Sequence, residues 1–286
     1  MDLVYSGQHK AFRQEIRDFI AASLPDDLRQ RLRAGGFASK ADTELWQRRL
    51  NARGWGAPAW PKAFGGTGWD AAEQQIFADE CACAPAPPPH IFNITMLGPV
   101  LIHFGSDAQR ETFLPKLLNA DIQVCQGFSE PNAGSDLASL KTRAERTADG
   151  YLVNGQKLWT SQAHYSDWIF CLVRTDPDAP KPQAGISLLI DLKSPGITVR
   201  PIVSIDGRHS LNEVFFDNVL VPDKVSRASP APRIPDPQCP VPPEAAALPG
   251  ARWRRNCAWW HSPFPAASPA RSPDSAWPAS PSAESA

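Results

Sequence analysis

The chain has 286 residues, 29 Lys and Arg against 30 Asp and Glu, and a 42% hydrophobic fraction. So balanced a charge gives a phosphate backbone little to hold, which argues against nucleic acid as a partner. The hydrophobic fraction is enough for the core of one or two domains. Six cysteines without Cys-x-x-Cys spacing read as reduced thiols of a cytoplasmic protein, and Asp2 and the early charges leave no signal-peptide core.

In chain order, Phe12, Ile16, Phe19 and Ile20 recur at helical spacing, and Leu45, Trp46 and Leu50 repeat that pattern before the break at Gly54-Trp55-Gly56. Further helices are predicted over Ala71–Cys83, within Ile91–His103, and over Asp107–Leu118 with Ser106 or Asp107 at the N-cap. The longest apolar stretch, Ile91 to Phe104, is too short and too interrupted to span a bilayer, so no membrane association is expected. Residues 1–121 thus read as an all-helical domain.

Beyond Asp121 the period changes. Ile122–Phe128, Ala138–Arg146, Tyr151–Trp159, Trp168–Arg174, Gly185–Asp191, Ile197–Val203 and Asn212–Phe216 are short, rich in β-branched and aromatic residues, and separated by turn signals such as Asp176-Pro177-Asp178. Seven such strands predict a small β-barrel or sandwich over residues 122–226, giving an α+β chain. Residues 227–286 are different. Roughly a quarter of them are proline and none is Lys, Thr or Tyr, a composition that holds neither helix nor core and predicts a disordered tail. Pro, Ala, Arg and Gly share GC-rich codons, so the tail also reads as out-of-frame translation, against a genuine disordered extension as the alternative.

Two segments concentrate polar chemistry. Gly127-Phe128-Ser129-Glu130-Pro131-Asn132-Ala133-Gly134-Ser135-Asp136 packs two hydroxyls, two carboxylates and a small-residue turn into one run; Asn154-Gly155-Gln156-Lys157-Leu158-Trp159-Thr160-Ser161 puts an indole and two hydroxyls at a strand end. Taken singly, they could be a capped turn and a core tryptophan. Together, at this spacing, they closely resemble the flavin-binding core of the acyl-CoA dehydrogenase family. The resemblance runs from about Phe12 to Pro222, through Trp60–Gly68, Phe104-Gly105-Ser106 and Asn212–Val219.

The resemblance implies FAD as cofactor, with Gln126, Phe128, Ser129, Gly134, Ser135, Trp159, Thr160 and Ser161 as cofactor-binding residues. Ser129 would sit at the polar edge of the isoalloxazine ring, Trp159 would lay its indole against it, and Ser135 would also meet the acyl-CoA substrate. Phe128 and Gln126 depart from the commonest pattern. Cys125–Glu130 and His164–Phe170 look most like the branch that includes pimeloyl-CoA dehydrogenase large subunits.

The family reaction is α,β-dehydrogenation of an acyl-CoA thioester, with an electron-transfer flavoprotein as acceptor and homo- or hetero-oligomers as the working form. Its base comes from a C-terminal helical domain, and this chain carries the proline-rich tail in that place. Beyond Asp223 the carboxylates are Asp236, Glu244, Asp274 and Glu284, and none is assigned as a catalytic residue. Three readings stay open: a dehydrogenase completed by a partner subunit, an inactive truncated product, and an acyl-CoA oxidase. Gly65-Gly66-Thr67-Gly68 lacks the strand and lysine-bearing helix of a phosphate loop and reads as a structural turn. The six histidines have no metal-ligand spacing and no catalytic triad stands out.

Overall fold

A computed structural model of the chain describes residues 5–176 and 185–223. The predicted tail, the carboxylates within it and most of the Asp176–Asp178 turn lie outside the described residues.

Six α-helices come first: α1 (Gly7–Ser23), α2 (Asp26–Arg33), α3 (Lys40–Ala52), α4 (Ala71–Cys83), α5 (Gly98–Phe104) and α6 (Asp107–Leu118). The starts of α1, α3, α4 and α6 follow capping chemistry. The Ser106 side chain accepts from the Gln109 N–H while the Gln109 side chain accepts from the Ser106 N–H, and Asp70 and Glu73 repeat the arrangement on α4. The helix read within Ile91–His103 divides in two. Ile91–Leu97 is a π-helical turn that passes into α5 at Gly98-Pro99, where the proline has no N–H to donate to the preceding turn.

The strands are β1 (Val124–Gly127), β2 (Arg143–Arg146), β3 (Gly150–Ser161), β4 (Trp168–Arg174), β5 (Gly185–Asp191), β6 (Ile197–Val203) and β7 (His209–Pro222). They form one curled sheet in the order β1-β4-β2-β3-β7-β6, with β5 beside β4. β1 and β4 run parallel, whereas β3 with β7, β7 with β6 and β4 with β5 are antiparallel. Four strands differ in length from the sequence reading: β1 is shorter than Ile122–Phe128, β3 is longer than Tyr151–Trp159, and β2 and β7 differ most. Leu137–Ser139 turns as a 3-10 helix, so β2 begins only at Arg143, and β7 continues to Pro222 past a kink at Asn218, where φ is +49°.

The sheet's inner face buries Val153, Ile169, Cys171, Leu188, Ile190, Val214 and Val219. A second cluster joins helix to sheet: Trp60, Ile94, Leu97, Leu101, Phe113 and Leu117 pack with Val124, Phe170 and Leu189. Asn93, wholly buried, stitches the same seam by donating to the carbonyls of Leu117 and Ile122 and accepting from the Val124 N–H at 3.0 Å. No helix among the described residues is long and apolar enough to cross a membrane.

Candidate functional site

At the end of β1 the backbone runs so close to β4 that Gly127 has no room for a side chain. A Cβ there would lie 2.6 Å from Ile169 Cδ1 and 3.3 Å from Lys157 Cγ. The chain then turns tightly: the Glu130 N–H donates to the Ala133 carbonyl at 2.8 Å and the Ala133 N–H returns to the Glu130 carbonyl at 3.1 Å. The Glu130 side chain points inward. It accepts from Lys157 Nζ at 2.7 Å, from the Lys141 N–H at 2.6 Å and from the Thr142 N–H at 3.0 Å. Burial alone would raise its pKa, but the Lys157 ammonium and these hydrogen bonds outweigh that and hold the carboxyl below its ordinary range. A carboxylate kept ionised by a buried lysine is an anchor for the loop and a poor proton acceptor.

Lys157 belongs to β3 and also donates to the Phe128 carbonyl at 3.2 Å. Immediately after it, β3 takes one residue more than β7: Lys157 pairs with Val214, yet Thr160 already pairs with Asn212. Such a bulge re-aims the side chains it carries. Trp159 sits on it with φ +60°, a left-handed backbone that costs a bulky residue on the order of 1–2 kcal/mol, and its side chain is 56% exposed. The Leu158 N–H donates to the Ser129 carbonyl at 2.9 Å, so the two signature segments meet directly at Ser129 and the bulge.

The remaining predicted residues are arranged around this junction. Phe128 is half-buried and packs against Phe170, ring centroids 5.5 Å apart; Gln126 lies within β1, opposite Phe170. Ser161 is half-buried opposite Leu211. Gly134 and Ser135 are exposed on the turn, and a Cβ on Gly134 would meet nothing within 4 Å. Thr160 is buried, and its Oγ1 has no hydrogen-bond partner among the described residues.

An exposed indole, an unpartnered hydroxyl and an open glycine turn fit a flat ring with a polar edge. Sequence reading missed the Glu130–Lys157 pair and Asn212 on β7; the polar residues inside otherwise apolar strands were the available signal.

Residues 6–121 match the N-terminal domain of acyl-CoA dehydrogenases, and residues 125–219 match the middle domain. This chain belongs to the acyl-CoA dehydrogenase family. That family is one of FAD-dependent oxidoreductases. Among its members, acyl-CoA dehydrogenase IpdE1 of Mycobacterium tuberculosis is 41% identical over 213 residues, 72% of this chain and 55% of the relative. Among solved structures, the Tcur3481-Tcur3483 steroid acyl-CoA dehydrogenase aligns with a TM-score of 0.70 at 33% identity, covering 79% of this chain and 58% of that one. The ChsE4-ChsE5 complex of M. tuberculosis aligns with a TM-score of 0.66 at 33% identity, covering 79% and 57%. The chain therefore spans little more than half the length of these relatives.

Proposed function

We propose that this chain carries the flavin- and thioester-facing part of an acyl-CoA dehydrogenase site, and that the complete enzyme desaturates an acyl-CoA thioester between its α and β carbons. The observation that carries this reading is the junction of the two signature segments, where the Leu158 N–H meets the Ser129 carbonyl beside an exposed Trp159. When bound, FAD supplies a hydride acceptor for the β-hydrogen.

The chain's own residues bind and orient. Trp159 offers an aromatic face of the right extent for ring packing. Ser129 and Ser161 supply hydroxyls to the polar edge, with Phe128, Gln126 and Thr160 flanking them. Gly134 leaves space at the turn, and Ser135 lies where substrate and cofactor approach each other. Glu130 is committed to Lys157, so the base for the α-proton is assigned to a helical partner segment or subunit. Two-chain assemblies among the solved relatives support a heteromer. Electron-transfer flavoprotein is the proposed acceptor. A cytoplasmic setting is supported by the four cysteines among the described residues, all free thiols, of which Cys81, Cys125 and Cys171 are buried.

The test is a titration of FAD into the purified full-length chain, followed by flavin fluorescence, then acyl-CoA-dependent dye reduction with and without a co-expressed helical partner. Saturable flavin binding and partner-dependent reduction are expected. Absence of both would overturn the reading in favour of an inactive product, and peroxide release in air without dye would point to an oxidase.

A further inference from the structure

The Trp159 bulge needs something to hold it, because a residue this exposed does not fix its own backbone by packing. On the N-terminal side it is held by the buried Lys157 and by the Leu158 N–H to Ser129 carbonyl bond. On the C-terminal side the chain uses a side chain. Asn212, wholly buried on β7, donates from Nδ2 to the Thr160 carbonyl at 2.9 Å.

The same amide is fixed at its other atoms. Nδ2 lies 3.2 Å from His164 Nδ1 and Oδ1 lies 2.7 Å from His209 Nε2, and the two imidazoles stack with centroids 4.0 Å apart. An amide that donates to both Thr160 and His164 requires an unprotonated Nδ1 on His164, and an Oδ1 that accepts from His209 requires a proton on its Nε2. Orientation of the Asn212 side chain is thus determined from two directions before it reaches Thr160. Desolvation of the ring, and then the neighbouring His209, hold His164 below the ordinary imidazole range, which keeps that acceptor available. Beyond the bulge, the Gln162 N–H bonds the Ser210 carbonyl, so the strand re-enters register as soon as Asn212 has secured Thr160.

We infer that Asn212 is a positioning residue for the cofactor: by holding the Thr160 carbonyl, with the His164–His209 stack bracing its amide, it sets the left-handed turn that presents the Trp159 indole. The inference rests on the flavin reading above. It assigns Asn212 no contact with the cofactor.

Asn212→Asp is the decisive variant. It keeps the shape and an acceptor for His209 but turns an oxygen toward the Thr160 carbonyl, which removes the one donor that matters. The full-length protein is labelled with 5-fluorotryptophan, and Trp159→Phe identifies the Trp159 signal. In the ligand-free chain, Asn212→Asp is expected to shift and broaden that signal while the other described tryptophans, Trp46, Trp55, Trp60 and Trp69 of the helical domain and Trp168 at the start of β4, stay in place. FAD affinity is expected to fall about tenfold, the scale of one neutral hydrogen bond. His209→Ala, which leaves the Thr160 donor intact but unbraced, is expected to give a smaller shift of the same sense.

An unmoved Trp159 resonance in Asn212→Asp would overturn the inference, as would a moved resonance with unchanged FAD affinity. Were the wild-type chain to bind no flavin, the cofactor reading and the cofactor role built on it would both fall, while the resonance would still report whether Asn212 sets the bulge. If Asn212→Asp does not fold, His209→Ala carries the same two readouts and the same criteria.

Discussion

Replacing Lys157 by Met tests whether the signature glutamate is an anchor. The side chain is fully buried and its ammonium is 2.7 Å from Glu130, itself only 6% exposed. Lys157→Met leaves a buried carboxylate with two backbone donors, the N–H groups of Lys141 and Thr142. Breaking a buried pair by removing one partner costs about 3–5 kcal/mol, and the two surviving hydrogen bonds place this case near the lower end, about 3 kcal/mol. For a folded unit of roughly 200 residues that is about 6–12 °C in Tm.

Glu130→Gln keeps an acceptor for one backbone donor but leaves the ammonium unpaired, and a loss of about 2–3 kcal/mol is expected. The double variant has neither charge to strand, so its loss should fall short of the sum by at least about 1.5 kcal/mol. Urea unfolding of the four proteins gives the coupling directly. Losses that add to within about 0.5 kcal/mol would refute the anchor.

The pair also sets an acid limit. The Glu130 carboxyl is depressed below its ordinary value of 4.5, so its stabilisation is fully present above that value and is lost as pH falls through the lower, folded one. Glu130→Gln should flatten this part of the acid limb.

Other substitutions separate folding from binding. Trp159→Ala should leave Tm within about 1 kcal/mol of equivalent stability, because the side chain is largely exposed, yet weaken FAD binding at least tenfold by flavin fluorescence; equal affinity would remove Trp159 from the site. The two signature glycines should part company. Gly127→Ala meets Ile169 and should destabilise by about 1–3 kcal/mol, whereas Gly134→Ala meets no protein atom and should be neutral in thermal unfolding but impair FAD binding. Equal behaviour of the two in both assays would contradict the geometry. Burial and its surroundings lower His90 to about 4, so its imidazole should remain neutral in a histidine proton-resonance titration down to pH 5.

Periodicity carried much of the fold. β4, β5 and β6 were readable end to end because each is a dense run of β-branched or apolar residues with turn residues at both ends, and α4 and α6 because capping residues mark their starts. α2 escaped for the opposite reason: Asp26–Arg33 carries six charged or amide side chains in eight positions and hangs on Leu28, so no apolar stripe announces it. β7 was read short because the kink at Asn218 breaks its alternation.

At the site, the signature told where polar chemistry concentrates, but it could not divide the labour among its members. Glu130, one of the two carboxylates in the signature, is structural, and nothing near it in sequence says so, because its partner arrives from 27 residues away through strand register. Asn212 looked like an ordinary strand residue. Its significance depends on which carbonyl the bulge leaves beside it.

The seam at Asn93 bears on how such a chain can be taken apart. One buried amide holds the end of α6, the connecting residue Ile122 and the first residue of β1, and the apolar cluster beneath it draws side chains from both sides. A scissile point chosen where helices give way to strands would therefore run through a continuous interior. Each half expressed separately would bare Leu117 or Val124 to water and strand the backbone groups that Asn93 had satisfied, so the halves should be insoluble alone and recoverable only when co-expressed. The change of secondary structure near residue 121 is a boundary in pattern, while the molecule's mechanical continuity passes straight across it.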